Sequence, residues 1–189
     1  MGIGRDSLKR RAVLLDRDGV INEAVVRDGK PYPPRDATEL IIVPGAAEAL
    51  AELKSRGFLL IVVTNQPDVR RGKTPVQVVE EIHAALASRL PLDDFFMCPH
   101  DDRDACDCRK PLPGLLLQAA AKYDFNLRTS YMIGDRWRDI AAGFAAGCRT
   151  IFIDRRYNER SPEPRPDVSV STLVEAVRWI LKQEDKSSE

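Results

Sequence analysis

The feature that most constrains the fold of this chain is the apolar run Ala12–Leu15, which leads directly into two carboxylates, Asp16 and Asp18. Such a run predicts a buried strand of a parallel sheet, and Gly19 predicts that the chain then turns. In open α/β sheets, ligands bind in the crevice outside the carboxyl ends of the strands. Because two neighbouring carboxylates repel each other without a cation, the stretch indicates a cation-dependent site. A polar turn without a ligand is the alternative interpretation of this segment alone.

The composition describes a globular protein and argues against several classes of partner. With 189 residues, the chain is expected to form a single domain whose core covers about residues 11–181. Basic and acidic residues number 29 each, which argues against a nucleic-acid partner. No apolar run approaches the roughly 20 residues that span a bilayer, and Met1–Arg11 lacks the apolar segment of a secretory signal. We therefore expect a cytoplasmic protein with no membrane partner, and we also expect a monomer.

Strand and helix patterns alternate along the chain. Strands are expected near residues 11–16, 40–43, 58–63, 94–97, 130–133, 150–153 and 167–170. Helices are expected near residues 45–57, 74–88, 113–123, 136–146 and 172–181. This alternation predicts an α/β fold, a three-layer, Rossmann-like, doubly wound parallel sheet. The connections after Gly19 and after Thr64 are too short to hold a large cap domain.

The connections and chain ends carry more local expectations. We expect a frayed tail over Met1–Lys9 and a disordered tail from Lys182 onward. Val20–Pro34 is expected to form a loop or small hairpin over the strand ends, and residues 69–73 a basic loop. Thr74 is predicted to be the N-cap of the helix that follows it.

Polar residues end three of the predicted strands, and their chemistry is complementary. In a parallel sheet, the strand ends that carry Asp16, Thr64 and Asp135 meet at one edge. Asp16 can attack the phosphorus of a phosphate ester, while Asp18 can protonate the leaving alcohol and later deprotonate water. Asp16 and Asp135 can hold Mg²⁺. Since Thr64 and Lys110 can bind phosphoryl oxygens, the set predicts phosphoryl transfer.

A cluster of soft metal ligands lies in an irregular, charged insertion at residues 98–108. The ligands are Cys98, His100, Cys106 and Cys108. Four protein ligands at this spacing are typical of a closed structural Zn²⁺ site, and free cysteines in a loop are the alternative. The insertion has few apolar residues, so a metal would supply the free energy that orders it. Because Arg109 and Lys110 follow the last ligand, such a site would fix where those two cations point.

Taken in order along the chain, the motif residues resemble the haloacid dehalogenase superfamily. The motifs are Asp16-x-Asp18-Gly19, Thr64-Asn65, Lys110 and Gly134-Asp135-x-x-x-Asp139. The resemblance covers residues 11–153 and implies the same nucleophile, acid/base and phosphoryl-binding residues that the chemistry indicates. It also implies that Mg²⁺ is held by Asp16, the Asp18 backbone carbonyl and Asp135. Asp139 lies one helical turn further on, where it is expected either to orient this metal site or simply to face solvent.

The zinc insertion narrows the resemblance to the capless subfamily IIIA of this superfamily. That branch contains heptose-1,7-bisphosphate phosphatases and histidinol-phosphate phosphatases, which share the Asp-Arg-Asp-Gly and Thr-Asn-Gln motifs. The expected substrate-binding residues are Asn65, Gln66, Arg71, Arg109 and Arg136. Pro67-Asp68 departs from the heptose enzymes, and the segment after Gly19 matches neither group well. The site has more cations than one phosphate requires, which favours a substrate with two phosphates. Together with the resemblance, this implies hydrolysis of D-glycero-D-manno-heptose 1,7-bisphosphate to the 1-phosphate.

Three other functions are weighed against this one. The first is hydrolysis of histidinol phosphate or another small phosphorylated metabolite, in which Asp68 or Glu23 would bind a substrate amine. The second is a phospho-accepting receiver domain, in which an acid pair precedes the phosphorylated aspartate by two strands. Here the nucleophile lies on the first strand, which disfavours a receiver. The third is a zinc-stabilised binding module without catalysis.

Overall fold

The computed structural model describes residues 10–187, so the predicted frayed tail Met1–Lys9 lies outside the described residues. The strands are β1 Ala12–Leu15, β2 Val25–Arg27, β3 Lys30–Tyr32, β4 Leu59–Asn65, β5 Asp94–Cys98, β6 Tyr131–Gly134, β7 Arg149–Ile153 and β8 Val168–Val170. The helices are α1 Ala46–Ser55, α2 Pro67–Arg70, α3 Val76–Ala87, α4 Gly114–Tyr123, α5 Trp137–Ala146 and α6 Leu173–Ser187. Within the described range, no helix is both long and apolar enough to cross a membrane.

Six of the strands form one parallel sheet in the order β5-β4-β1-β6-β7-β8. β1 lies at its centre, where Leu14 pairs with Ile61 of β4 on one side and with Met132 of β6 on the other. All the strands of this sheet run in the same direction, so their carboxyl ends share one edge. The predicted doubly wound α/β sheet is confirmed.

Both faces of β1 are buried, which explains why its sequence is continuously apolar. Val13 and Leu15 pack into a core that includes residues of α1, α3 and α6. Ala12 and Leu14 pack on the other side of the sheet, with residues of α4 and α5. Helices therefore cover the sheet on both sides, and the three layers place the end of β1 in the middle of the edge that carries the site.

β2 and β3 form a small antiparallel hairpin, which confirms the expected hairpin after Gly19. Its turn contains Asp28 and Gly29, with φ angles of 51° and 71°. Two successive positive φ angles suit a tight hairpin turn, and Asp-Gly is among the sequences that adopt it most readily. The Asn158 backbone N–H donates to the Gly29 carbonyl at 2.8 Å, which ties the hairpin to the connection after β7.

Two predictions about the connections are wrong. The segment 40–43 is not a strand of the sheet, because its backbone pairs instead with the turn after β1 through an Asn22–Ile42 bridge. Leu40 and Val43 nevertheless bury their side chains in the core, which accounts for the apolar pattern. The predicted basic loop at 69–73 begins inside the short helix α2.

Two predictions about helix ends are also wrong. Thr74 is not an N-cap, because α3 begins one residue later than expected, with Pro75 at the cap position and no side-chain cap hydrogen bond. The polar tail continues α6 as far as Ser187 instead of being disordered. The Tyr131 hydroxyl donates to Glu184 at 2.7 Å, and Arg56 pairs with Asp185 at 2.9 Å, so polar contacts hold this last stretch of helix.

Gly143→Ala is expected to destabilise the protein because α5 lies unusually close to the sheet. A Cβ at this position would lie 2.7 Å from the Met132 Cβ and 2.8 Å from the Thr150 Cγ2. Overpacking of this kind costs about 1–3 kcal/mol, whereas glycine to alanine in a free helix gains about 0.5–1 kcal/mol. Urea unfolding should show a loss of unfolding free energy, with Ala145→Ser on the exposed face of α5 as the control. A gain in stability would contradict the close packing.

Candidate active site

A cavity of about 270 Å³ opens at the carboxyl edge of the sheet, beyond the ends of β1 and β4. Nine of the predicted site residues line it: Asp16, Asp18, Thr64, Asn65, Gln66, Arg71, Arg109, Lys110 and Arg136. The hairpin residues 30–33 form part of the same wall, as do Asp68, Asp102, Arg138 and Asp139. The parallel sheet thus brings side chains that are up to 123 residues apart in sequence, Asp16 and Asp139, into one cavity.

Three carboxylates meet beside this cavity: Asp16 and Asp139 line it, whereas Asp135 lines a smaller pocket next to them. Ligand oxygens of Asp16, Asp135 and Asp139 lie within 4.8 Å of one another, and all three side chains are buried. Burial raises the pKa of Asp16 to about 6, against the opposing charge of Lys110. Burial and the charges of Asp16 and Asp139 raise the pKa of Asp135 well above its ordinary range. Such mutual repulsion is relieved when a cation lies between the acids.

The Asp135 carboxylate provides a direct test of whether a divalent cation fits. Both of its oxygens are buried and accept no hydrogen bond of normal geometry within the described residues, although the nearby Tyr157 hydroxyl interacts with the carboxylate and partly opposes the rise in its pKa. A buried carboxylate with so little hydrogen bonding is costly unless it coordinates a metal or is neutralised. Oxygen-rich groups of this kind are the ligands that Mg²⁺ prefers, so the residues present fit the predicted ion.

Two motif glycines allow these acids to approach the backbone. A Cβ on Gly19, which has a φ angle of 88°, would lie 1.8 Å from an Asp135 oxygen. A Cβ on Gly134 would lie 2.1 Å from the Asp139 Cβ. Any larger residue at either position would displace an acid from the cluster, which is why the motif requires glycine there.

Lys110 is buried, and its ammonium group is fully engaged within the protein. Its Nζ donates to Asp16 at 2.7 Å, to the Val63 carbonyl at 2.7 Å, and pairs with Asp139 at 2.6 Å. Its backbone is held by Asn65, whose side-chain amide accepts from the Lys110 N–H at 3.1 Å and donates to its carbonyl at 3.0 Å. The end of β4, which carries Asn65, thereby fixes the position from which Lys110 enters the site.

Asp18 is held by a set of donors that turn it away from the acid cluster. Arg17 donates to both of its oxygens at 3.1 and 2.9 Å, Asn22 donates at 3.0 Å and Gln66 at 2.9 Å. Burial alone would raise the pKa of Asp18, but the charge of Arg17 and these hydrogen bonds lower it. Gln66 also donates to the Thr64 hydroxyl at 3.0 Å. The end of β4 therefore supports Asp18 as well, through Gln66.

The predicted zinc ligands converge on one point. The Sγ atoms of Cys98 and Cys108 lie 3.0 Å apart, and the His100 Nδ1 lies 3.2 Å from Cys108. Cys106 lies 3.7 Å from Cys98 and 3.5 Å from Cys108. In a tetrahedral site with Zn–S bonds of about 2.3 Å, ligand sulfurs lie about 3.8 Å apart. The cluster is therefore compatible with Zn²⁺, although the sulfurs lie slightly closer together than they would around the bound ion.

The three predicted substrate arginines each contact an acid within the protein. Arg71 pairs with Asp101 at 2.7 Å and with Asp68 at 3.1 Å. Arg109 donates to Asp102 at 2.7 Å, and Arg136 pairs with Glu159. The three guanidinium groups line the cavity, but their charges are not freely available to a ligand.

The sequence interpretation missed residues that support the site from behind. Arg17 lies between the two motif acids and is fully buried. Its position within the motif is the sequence signal that could have identified it as a site residue. His83 of α3 is partly buried, and its ring stacks on that of Phe95 with the centroids 4.5 Å apart. Burial, with the charge of Arg17, lowers the pKa of His83 to about 4. The helical pattern of α3 could not show this, because the sequence does not reveal that His83 lies near Arg17 at the end of β1.

With this geometry in place, comparison with known proteins identifies the family. Residues 34–147 match the family described as haloacid dehalogenase-like hydrolase. The D-glycero-beta-D-manno-heptose-1,7-bisphosphate 7-phosphatase of Escherichia coli is 36% identical over 92% of this chain and 95% of its own length. The enzyme of the same name from Pseudomonas putida is 33% identical over 87% of this chain and 93% of its own length.

A solved structure agrees with these sequence relatives. The D,D-heptose 1,7-bisphosphate phosphatase of B. bronchiseptica, complexed with magnesium and phosphate, superposes with a TM-score of 0.78 at 30% identity. The match covers 92% of this chain and 99% of that one. The chain belongs to the haloacid dehalogenase-like hydrolases, which confirms the resemblance seen in its motifs.

Asp135→Asn is expected to stabilise the metal-free protein, because it removes one acid from a buried cluster in which the single Lys110 ammonium faces three carboxyl groups. At pH 8, above the Asp16 pKa of about 6, Asp16 is charged, so loss of the neighbouring acid should gain about 0.5–2 kcal/mol, the common size of a stabilising substitution. Thermal unfolding in EDTA measures this gain, and added Mg²⁺ should raise the Tm of the wild type much more than that of the variant. Equal Mg²⁺ effects on both proteins would contradict a cation site at Asp135.

Proposed function

We propose that this protein is a phosphoric monoester hydrolase that removes one phosphate from a sugar bisphosphate through an aspartyl-phosphate intermediate. The observation that carries the proposal is that Asp16, Asp18 and Lys110 meet in one cavity, and that Asp16 also belongs to a buried cluster of three acids that could hold a cation. This set supplies a nucleophile, a proton-transfer group and positive charge, which together are what monoester hydrolysis requires.

In the first half-reaction, an oxygen of Asp16 attacks phosphorus and forms the aspartyl-phosphate while the ester P–O bond breaks. Asp18, in its protonated form, gives its proton to the departing alkoxide. The low pKa that Arg17 imposes on Asp18 makes this carboxyl a strong acid once it is protonated. Lys110 faces the Asp16 oxygen at 2.7 Å, so its charge stabilises the oxygens of the transferring group.

In the second half-reaction, the Asp18 carboxylate removes a proton from water, and the resulting hydroxide attacks the phosphorus. The aspartyl P–O bond breaks, which releases inorganic phosphate and restores the Asp16 carboxylate. Asp139 pairs with Lys110 at 2.6 Å and accepts from the Arg136 N–H at 3.0 Å, so we assign it to positioning the lysine.

Mg²⁺, held by Asp16, the Asp18 backbone carbonyl and Asp135, would neutralise phosphoryl charge when it is bound. The burial of both Asp135 oxygens, with no hydrogen bond of normal geometry among the described residues, supports this assignment. Thr64 is buried at the cavity wall, where its hydroxyl can donate to a phosphoryl oxygen. Asn65 and Gln66 line the same wall, and each also supports a catalytic side chain.

The relatives favour a heptose bisphosphate as the substrate. Two relatives that cover most of this chain are named heptose-1,7-bisphosphate 7-phosphatases, and a structural neighbour carries the corresponding name. We therefore propose hydrolysis of D-glycero-D-manno-heptose 1,7-bisphosphate to the 1-phosphate, with Arg71, Arg109 and Arg136 near the substrate. Histidinol phosphate is less well supported as a substrate. That the protein acts as a cytoplasmic, single-domain monomer stays a prediction from the sequence.

The substrate assignment is tested by release of inorganic phosphate with Mg²⁺ present. Hydrolysis of heptose 1,7-bisphosphate should exceed that of histidinol phosphate, and the product should be the 1-phosphate. Asp18→Asn should lose a factor of about 10²–10⁴ in kcat while its circular dichroism spectrum is unchanged, because proton transfer is removed without a change of shape. Faster turnover of histidinol phosphate, or full activity of the variant, would overturn the assignment.

We also propose that the cluster of Cys98, His100, Cys106 and Cys108 binds one structural Zn²⁺. Four protein ligands leave no open position for chemistry. The insertion ends one residue before Arg109, whose Nη1 donates to the His100 carbonyl at 3.1 Å. Ordering this loop would therefore order the arginine and the lysine that follow it.

Cys106→Ser is expected to lower the zinc content from one ion per chain, because one of four ligands is lost. Activity should fall indirectly, together with the Tm, as Arg109 and Lys110 lose their support. Metal analysis of the purified proteins provides the measurement. Cys148→Ala, which changes the buried cysteine outside the cluster, should keep full zinc content. Unchanged zinc content in Cys106→Ser would contradict the assignment.

A further inference from the structure

The connection between β7 and β8 contacts several elements that build the site. The Arg155 Nε donates to the Gly19 carbonyl at 2.8 Å, in the turn that follows β1. Glu159 pairs with Arg136, the residue that precedes α5. Tyr157 lies between these two anchors in sequence and is partly buried. The connection therefore packs against the site, although it lies outside the sequence motifs.

The Tyr157 hydroxyl lies beside the Asp135 carboxylate. A Cβ on Gly19 would lie 1.8 Å from the Asp135 Oδ2 and 2.8 Å from the Tyr157 Oη, so the two oxygens are close neighbours. Burial and the charge of Asp135 raise the pKa of Tyr157, so the phenol keeps its proton and can donate it in a hydrogen bond. Because neither Asp135 oxygen accepts a hydrogen bond of normal geometry from any described residue, this hydroxyl is the donor placed to orient the carboxylate.

Asp135 also borders open space on the side of Tyr157. Both residues line the second cavity, which has a volume of about 150 Å³. The ligand oxygens of Asp16, Asp135 and Asp139 lie within 4.8 Å of one another, and repulsion among these acids favours a turn of Asp135 toward the open space. Such a turn would separate Asp135 from Asp16, so a group that restrains Asp135 keeps the acids together.

We propose that Tyr157 is a positioning residue for the divalent-cation site, and that its hydroxyl holds the Asp135 carboxylate within reach of Asp16. Carboxylates that bind a metal are commonly held by hydrogen bonds from the groups behind them, and loss of such a partner costs about 10–100-fold in metal affinity or activity. Tyr157 is itself held in place, because the backbone of the next residue, Asn158, donates to the Gly29 carbonyl at 2.8 Å. This inference rests on the proposed function, because it takes Asp135 as a ligand of the cation.

Tyr157→Phe tests the inference, because it removes the hydroxyl and keeps the ring. Thermal unfolding of the metal-free protein at increasing Mg²⁺ concentrations gives a Kd for the ion from the rise in Tm. The Kd of the variant should be about ten times that of the wild type. An equal Kd for the two proteins, or tighter binding by the variant, would overturn the inference.

Tyr123→Phe is the matched control for the loss of a hydroxyl. The Tyr123 hydroxyl also contacts a carboxylate, donating to Asp94 at 2.9 Å, but neither residue lines the two cavities. This variant should keep the Mg²⁺ affinity of the wild type. An equal loss of affinity in Tyr123→Phe and Tyr157→Phe would show a general effect on stability and would overturn the inference.

The Mg²⁺ dependence of turnover separates positioning from a structural defect. With heptose 1,7-bisphosphate as the substrate, the Mg²⁺ concentration for half-maximal phosphate release should rise about tenfold in Tyr157→Phe, and saturating Mg²⁺ should restore most of the kcat. A kcat that is lowered equally at every Mg²⁺ concentration would overturn the inference.

The Mg²⁺ titration also separates this inference from the proposed function, because it needs no substrate. A weakened Kd in Tyr157→Phe supports the positioning role even if the wild type hydrolyses none of the esters, a result that would refute only the proposed function. An unchanged Kd refutes the role of Tyr157 even if hydrolysis is rapid. A wild type that binds no Mg²⁺ would refute both the cation site and its positioning residue.

Discussion

The rest of the site depends on the concentration of negative charge at the end of β1. Asp16, Asp135 and Asp139 are buried side by side, and Lys110 is the cation that contacts two of them directly. Burial disfavours the charged forms of Asp16 and Asp135, and one ammonium cannot balance three carboxylates, so both pKa values are raised. A divalent cation would correct that imbalance, so the arrangement of charges favours metal binding.

The neighbouring elements hold this cluster and keep Asp18 apart from it. The side chain of Asn65 forms two hydrogen bonds with the backbone of Lys110, and Gln66 and Arg17 both donate to Asp18. Two carboxylates separated by a single residue thereby acquire opposite pKa shifts, raised for Asp16 and lowered for Asp18. Such a separation is what allows neighbouring acids to take the roles of nucleophile and proton-transfer group.

The cysteine-bearing insertion links metal chemistry to the charge of the cavity wall. It carries the proposed zinc cluster, the acid Asp102 and, directly after it, Arg109. In place of a large cap, the described residues place this insertion and the hairpin residues 30–33 around the cavity. Charges on the insertion and directly after it, those of Asp102 and Arg109, therefore lie at the wall of the cavity.

Local pattern was sufficient to predict the parallel sheet, the hairpin and the residues of the motifs. Apolar runs, helical spacing and turn residues depend on near neighbours in sequence, and the converging strand ends follow from the topology of a parallel sheet. The errors at residues 40–43 and in α6 have a different origin. There, contacts with distant residues, such as Tyr131 with Glu184, decided the outcome.

The sequence by itself determined which chemical groups are present and which edge of the sheet gathers them. Only the tertiary structure decided how those groups are paired. Arg17 clamps Asp18, Arg136 is neutralised by Glu159, and Arg109 shares its acid with Arg138. Electrostatic energy depends on distances between side chains that are far apart in the chain, and a count of charges in the sequence contains no such distances.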